Sequence, residues 1–447
     1  MFHLMLTASL PIYASQSRAV RYTLAGRVTD RANQVVTEGI AMLRHVAFFE
    51  ELGKLDECNP DWRSVSAGLV VMRLVDRWVE DGIVATDGWG ASAVRESVAS
   101  IPATTPLQRI LASIVERISG ATRVDMRALT PRLMAYGQAL EYDAKWHLAI
   151  DVYETIINHA DPAEDADLLA TAYIQLGSSL RNVGALGAAS MAYEKAHDVA
   201  VSAGDMIGVL RARIGEAKVA IARGNMPNAE QILDETIHRA TGEVFADVRS
   251  RALHDRATVA GLRGQFDQAI QFAYSALNLS ASQRERDRIL ADIATGFLSL
   301  GVFDVARDAY LVLIATAQDQ YVRWTAGLNL MEIAGRQGAE PLFDRYRREF
   351  MGAELTPFLQ VRYLITVGNG YRELGRPEAG VLYLEQAVVL AATNEFNQLL
   401  FEAEAALAAA EKPVTRVPPT PWSPVPTEVE GIAEAIRDMR TLAAAGD

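Results

Sequence analysis

The sequence predicts an all-α chain built from stacked helical hairpins, and three observations carry that reading. A short pattern of small and large residues recurs with a nearly fixed period of 37–40 residues. Elsewhere, apolar residues return at helical rather than alternating spacing. Aromatic residues are few, at 7%, while Ala is abundant, a composition that favours helices packed closely through small side chains.

The chain opens with MFHLMLTASLPIYASQS. A secretory signal would carry a basic n-region and a longer apolar run. The first Arg is Arg18, so the stretch reads as a frayed terminus or as the product of a start codon placed too early. Residues 17–129 look helical without the repeat pattern. Asn59-Pro60 gives a cap followed by a proline, a helix start. Behind it Val65, Leu69, Met72, Val75 and Val79 recur at helical spacing. Val71, Leu74 and Trp78 widen that face and predict burial on two sides. DGWG at 87–90 reads as a turn. Thr105-Pro106 starts another helix, carrying Leu107, Ile110, Leu111, Ile114 and Ile118. Residues 1–129 are therefore expected to be an N-terminal helical region, a cap or divergent repeats.

The repeat pattern is clearest at Gly184…Ala189…Tyr193…Ala196. It has counterparts at Ala144…Ala149…Tyr153…Ile156, Gly224…Ala229…Leu233…Thr236, Gly264…Ala269…Ala273…Ala276 and Gly301…Ala306…Tyr310…Leu313. Gly338…Phe343…Arg347…Phe350 is degenerate, and Gly375…Gly380…Leu384…Ala387 is clear. The anchors 149, 189, 229, 269, 306, 343 and 380 step by 40, 40, 40, 37, 37 and 37. A lone Gly suits a turn, where positive φ costs it little. The small residue five positions on suits a close helix approach. The larger one four later suits the gap between neighbouring hairpins. One hairpin cannot bury its apolar face, so hairpins must stack.

This pattern resembles the tetratricopeptide repeat (TPR) family over roughly residues 130–410. The usual period is 34 residues, so these repeats are similar to a long-repeat variant found in sensor arms of bacterial activators and in peptide-sensing regulators. The Trp usual near each repeat start is replaced by Tyr173, Leu253, Leu290 and Leu364, and Arg213 breaks the pattern. The resemblance implies a right-handed superhelical solenoid of about seven hairpins whose first helices line a groove. Beyond it, residues 411–427 form a Pro-rich linker and 428–447 a short amphipathic helix with Val429, Ile432, Ala433, Ile436 and Met439 on one stripe. The tail carries five acidic and two basic residues, so its side-chain charge is 2 − 5 = −3. Such a tail could cover the end of the last repeat, dock in a basic groove, bind another protein, or stay unfolded.

Net charge is −13, which argues against non-specific nucleic-acid binding. No apolar run reaches the length that spans a bilayer. Cys58 is the only cysteine; it forms no internal disulfide and suits a reducing, cytoplasmic setting. No catalytic, cofactor or metal constellation emerges. GNGYRELG at 368–375 has no preceding strand and falls within a repeat. His254-Asp255 resembles a metal-phosphohydrolase dipeptide but sits in an ordinary repeat helix. His45, His147, His159, His197 and His238 show no ligand spacing, and Glu50-Glu51 reads as a solvated face.

One set of residues stands out on the register that the resemblance implies. Arg211, Arg251, Arg288 and Arg362 share the second position of the first helix in four repeats. Arg181, Asn182, Lys218, Asn369 and Arg372 take other groove positions. Such basic and amide groups clamp carboxylates in peptide-binding members, and the planar Arg fork suits that task. The plainer alternative is surface charge, with Arg251 and Arg288 paired to Asp255 and Asp292 four residues on. The sequence thus points to a non-enzymatic scaffold or regulator binding a protein or peptide, acidic in character. A ligand-responsive sensor is the second reading and a divergent metal-dependent hydrolase the remote one.

Overall fold

The computed structural model describes residues 44–82, 89–121, 123–410 and 423–445. They form twenty α-helices, with no strand among the described residues. The frayed terminus and most of the Pro-rich linker expected from the sequence lie outside them. By their contacts the described residues fall into two compact units, 44–236 and 237–445.

In the first unit α1 (Val46–Lys54), α2 (Pro60–Asp81), α3 (Trp89–Ala99) and α4 (Pro106–Ser119) precede the repeats. Asn59 caps α2, its side chain accepting the Asp61 N–H, with Pro60 in the first turn. Val65, Leu69, Val71, Met72, Val75 and Trp78 are all buried, because α2 is flanked by α1, α3, α4 and a repeat helix. The helix expected from Thr105-Pro106 is present as α4, although Thr105 gives no side-chain cap; its hydroxyl donates to the Pro102 carbonyl. One local reading is corrected: of the turn expected at 87–90, Trp89 and Gly90 lie in α3, and residues 87 and 88 lie outside the described residues. A helix's first turn lacks intrahelical N–H partners anyway and tolerates Gly there.

The hairpins follow. In the first unit they are α5 (Met126–Tyr142) with α6 (Trp146–His159), α7 (Ala166–Asn182) with α8 (Leu186–Ser202), and α9 (Met206–Ala222) with α10 (Met226–Arg239). The second unit holds α11 (Ala246–Leu262) with α12 (Phe266–Leu279) and α13 (Gln283–Ser299) with α14 (Phe303–Thr316). It continues with α15 (Gln320–Arg336) and α16 (Glu340–Glu349), α17 (Pro357–Glu373) and α18 (Pro377–Thr393), and ends with α19 (Asn397–Ala410) and α20 (Glu430–Ala445). This is a TPR-like helical-repeat fold.

The repeat pattern acquires physical content here. Gly184, Gly224, Gly264, Gly301, Gly338 and Gly375 turn each hairpin with φ of 67–79°. Ala144 fills the same slot at φ 56°, a left-handed conformation that costs an L-residue about 1 kcal/mol. Ala149, Ala189, Ala229, Ala269 and Ala306 are at most 1% exposed. At Gly380 backbone meets backbone: a Cβ there would come within 2.6 Å of the Gly368 carbonyl oxygen. The degenerate sixth repeat is explained by compensation. Phe343 takes the small-residue slot, and Gly370 on the next first helix leaves room for its ring. That accounts for GNGYRELG: Gly368 receives Leu384, Gly370 receives Phe343, and Gly375 turns the hairpin. Arg213 trades packing for ion pairs, with Glu216 at 2.5 Å and Glu235 at 3.2 Å.

A buried polar knot ties the front of the first unit together. His45 Nδ1 lies 2.5 Å from Asp151 and its Nε2 3.2 Å from Asp76, while His159 Nε2 lies 2.8 Å from Asp76. Arg44 reaches Asp76 and Glu80. Burial alone would lower the His45 pKa, but the two carboxylates raise it to about 9, so the ring is charged at neutral pH. Buried charges need such pairing to be tolerated.

The C-terminal tail corrects the sequence reading. It docks neither over the end of the last repeat nor on the first-helix face. Helix α20 packs on α14, the second helix of its hairpin, and the 3-10 turn at 427–429 packs on α12. Val429, Ala433 and Ile436 are fully buried there. Matching apolar shape outweighs the net-charge complementarity that suggested a basic groove.

Two substitutions test the packing rules. Gly215 and Gly177 flank the Tyr193 ring from consecutive first helices, and a methyl group at Gly215 overlaps it. Gly215→Ala is therefore expected to destabilise the fold by about 1–3 kcal/mol in urea unfolding; unchanged stability would show that the ring is not clamped. Ala144→Gly relieves a strained turn and should be neutral to stabilising by up to about 1 kcal/mol.

Candidate functional site

The candidate site is the face presented by the first helices of the hairpins, and each unit carries its own part. Arg181, Asn182, Arg211 and Lys218 belong to the first unit; Arg251, Arg288, Arg362, Asn369 and Arg372 belong to the second. The nine residues thus form two groups.

In the first unit Arg181 and Asn182 end α7. Asn182 is 6% exposed, and its Oδ1 has no hydrogen-bond partner among the described residues. The Nε of Arg181 is likewise buried and unmatched. Burying such atoms unpaired is costly. Glu141, at the end of α5, accepts a 2.7 Å hydrogen bond from the Ser179 hydroxyl. Burial raises the Glu141 pKa, while Ser179 and the Arg181 charge pull it down. Arg211 and Lys218 on α9 are half-buried and already engaged with neighbours.

In the second unit the Arg residues are more exposed and locally paired. Arg251 Nε lies 3.1 Å from Asp247, and Arg288 lies 4.0 Å from Glu285. Both partners stand one turn before the Arg, not at Asp255 and Asp292 as the spacing suggested. Asp292 is taken by His254 instead: Nε2 and Oδ2 are 2.6 Å apart, linking α11 to α13. Burial would lower the His254 pKa, but the Asp292 hydrogen bond and the charges of Asp292, Asp255 and Glu285 raise it. On α15, Glu332 pairs with Arg336 at 2.8 Å. Burial raises the Glu332 pKa against the pull of Arg336 and of Arg362. Arg372 pairs with Glu373 at 3.2 Å, and Asn369 is half-buried.

Sequence reasoning missed Glu141, Ser179, Asp292 as the partner of His254, and Glu332 as members of this face. A signal for two of them was present. Glu141 stands eight residues before its repeat anchor, as Arg181 and Arg372 do. Glu332 stands eleven before its anchor, as Lys218 and Asn369 do. The face is therefore not a basic row but cations interleaved with carboxylates. Among the described residues no group of three His, Cys, Asp or Glu side chains is placed to hold a metal ion.

Asp292→Asn tests the inter-hairpin link. It removes the charge that holds the His254 proton while leaving the burial that opposes it. The His254 pKa is expected to fall below its ordinary value of about 6.5, read by histidine NMR titration. A pKa that stays raised would assign the effect to Asp255 and Glu285.

No family model matches the chain, and no curated protein matches it. Solved structures of similar helical architecture do. The apo form of the quorum sensor NprR from B. thuringiensis is 15% identical, with a TM-score of 0.46, over 80% of this chain and 98% of that one. The Rap conjugation gene regulator of plasmid pLS20, in complex with the Phr* peptide, is 12% identical, with a TM-score of 0.47, over 76% and 97%. BtubC from P. vanneervenii is 14% identical, with a TM-score of 0.35, over 53% and 87%.

Proposed function

We propose that the chain is a non-enzymatic regulatory scaffold that binds a peptide segment along its first-helix face. The observation that carries this reading is the unmatched buried pair Arg181 Nε and Asn182 Oδ1. A side-chain amide can donate and accept at once, which suits a peptide backbone. Neighbouring packed helices lie 8–10 Å apart, and an extended chain rises about 3.3 Å per residue. Every third ligand residue then meets a new first helix, so a polar group recurring once per repeat can read an extended peptide. Arg211 and Lys218 in the first unit, and separately Arg251, Arg288, Arg362, Asn369 and Arg372 in the second, are the further contacts in this reading, each unit by itself, and carboxylates are the groups the exposed Arg251 and Arg288 would capture. Their present pairs are exposed, and exposed pairs are worth at most about 1 kcal/mol, so a ligand carboxylate exchanges with them readily.

The sensor reading is favoured by one observation. The His254–Asp292 contact joins first helices of consecutive hairpins, so a ligand competing for either side chain changes what holds those helices together. A change in radius of gyration on ligand binding supports the sensor; binding without one supports the passive scaffold. The hydrolase reading loses its centre, because the His254 Nε2 is committed to Asp292.

The test is affinity capture from native lysate, followed by measurement with the recovered partner. Arg251→Ala with Arg288→Ala should weaken binding by about 1–2 kcal/mol, roughly five- to thirtyfold, leave helicity intact, and flatten the salt dependence. Binding that survives both changes and ignores salt would place the interface elsewhere.

A further inference from the structure

The outer side of the second helices carries an independent feature. In α10 and α12 the residues one before the repeat anchor are Asn228 and Gln268, and those six after it are Glu235 and Ser275; all four are exposed. In α14 the same two slots hold Val305 and Val312, with Ala309 between them, and all three are buried. This i, i+4, i+7 stripe is separate from Ala306, Tyr310 and Leu313, which face the hairpin interior. In α10 and α12 only the middle slot is apolar, as Ile232 and Phe272; the complete apolar stripe of α14 marks a surface shaped for a partner helix.

The tail shows what that surface accepts. Val429, Ala433 and Ile436 stand at i, i+4 and i+7 and share one buried cluster with Val305, Ala309 and Val312. Arg437 lies 3.3 Å from Asp304, and Asp308 feels both Arg437 and Arg440. The Ser423 N–H donates to the Gly301 carbonyl, and Gln271 donates to the Glu428 carbonyl. The requirement is therefore an amphipathic helix with small or branched apolar residues at i, i+4 and i+7 and Arg at i+8 and i+11.

The contact is also built to exchange. Among the described side chains of the tail only these three are buried, while Leu442 is 74% exposed. A helix of 16 residues is marginal on its own, so its docking rests on the tether that keeps its local concentration high. A proline-rich stretch separates it from α19, so releasing it disrupts no repeat helix.

We propose that α12 and α14 form a helix-binding site, occupied in the free chain by its own residues 428–445 and open to an amphipathic helix of the same pattern carried by a partner protein. The tail is a displaceable internal ligand of this site, on a different helix face from the peptide site proposed above.

The experiment uses the full chain. Ile436→Asp places a charge in the buried stripe and releases the tail. A fluorescent synthetic peptide of residues 423–445 is then titrated by anisotropy into wild type and variant. The peptide should bind Ile436→Asp at least about tenfold more tightly than wild type, where the tether competes. Adding Val312→Asp to the variant should abolish that binding. Equal affinity for wild type and variant, or binding that persists with Val312→Asp, overturns the proposal. So does loss of cooperative unfolding in Ile436→Asp, which would make the tail an integral part of the core. A second readout needs no release: Arg437→Asp should raise hydrogen exchange in α20, and adding Asp304→Arg should restore protection; no change in exchange overturns the contact.

Discussion

The structure depends on one packing event repeated along the chain: a second-helix side chain set between the first helices of two consecutive hairpins. Tyr193 between Gly177 and Gly215 shows it best. The ring needs backbone on both sides, so glycine is required on both helices and the distance between hairpins is fixed by ring thickness. Where the wedge changes, the notch changes with it. Phe343 moves to the small-residue slot, and Gly370 gives way opposite it. Tyr310 stays in its slot and finds a hydroxyl partner in Thr295 at 3.0 Å, so its polar end is satisfied inside the stack. Spacing set this way also spaces the polar residues on the first-helix face.

The period, the turns and the small-residue contacts were legible in the sequence because each is a local rule met by a few residue types. Gly184 and Ala189 announce themselves wherever they recur. The partners of those residues were not legible. Nothing near Tyr193 in sequence points to Gly215, which lies 22 positions on and looks like an ordinary helix-weakening glycine. Arg251 and Arg288 were placed on the right helices, but their ion-pair partners were misjudged. An Arg side chain on a helix pairs more readily with a carboxylate one turn before it than with one a turn after, and His254 had already claimed Asp292. The tail was legible as an amphipathic helix, but its berth was not. That berth is set by Val305 and Val312, which look unremarkable until compared slot by slot with Gln268 and Ser275.

The mixed charge of the first-helix face follows from stacking. Helices 8–10 Å apart would bring a like charge in every repeat within a Debye length of the next, and each addition would repel the last. Setting Glu141 beside Arg181, His254 beside Asp292 and Glu332 beside Arg336 and Arg362 removes that strain. It also changes what the face can recognise. A uniform basic row attracts any polyanion; an alternating face discriminates by the order of charges and hydrogen-bonding groups along a ligand. In the proposed peptide site, its buried amide and guanidinium atoms would penalise ligands that leave them unmatched.

Helices α12 and α14 then resolve a conflict inherent in repeat proteins. Every second helix has an outer side that must be solvated, and most here meet that need with polar residues such as Asn228, Glu235 and Gln268. Helix α14 does not, and its apolar stripe left bare would be an adhesive patch. Covering it with the chain's own tail protects it without adding a permanent structural layer, because a tethered helix need bind only weakly to stay in place. The cover also lies on second helices, so it leaves the first-helix polar groups of the same hairpins, Arg251, His254, Arg288 and Asp292, exposed or half-buried. A tail seated among those groups would have to satisfy their ion pairs; seated on Val305 and Val312 it adds to apolar shape the Arg437–Asp304 pair and two hydrogen bonds, at Gly301 and Gln271. The apolar match therefore decides where the tail goes, and the acidic residues Glu430 and Asp438 that once suggested a basic groove are left exposed to water.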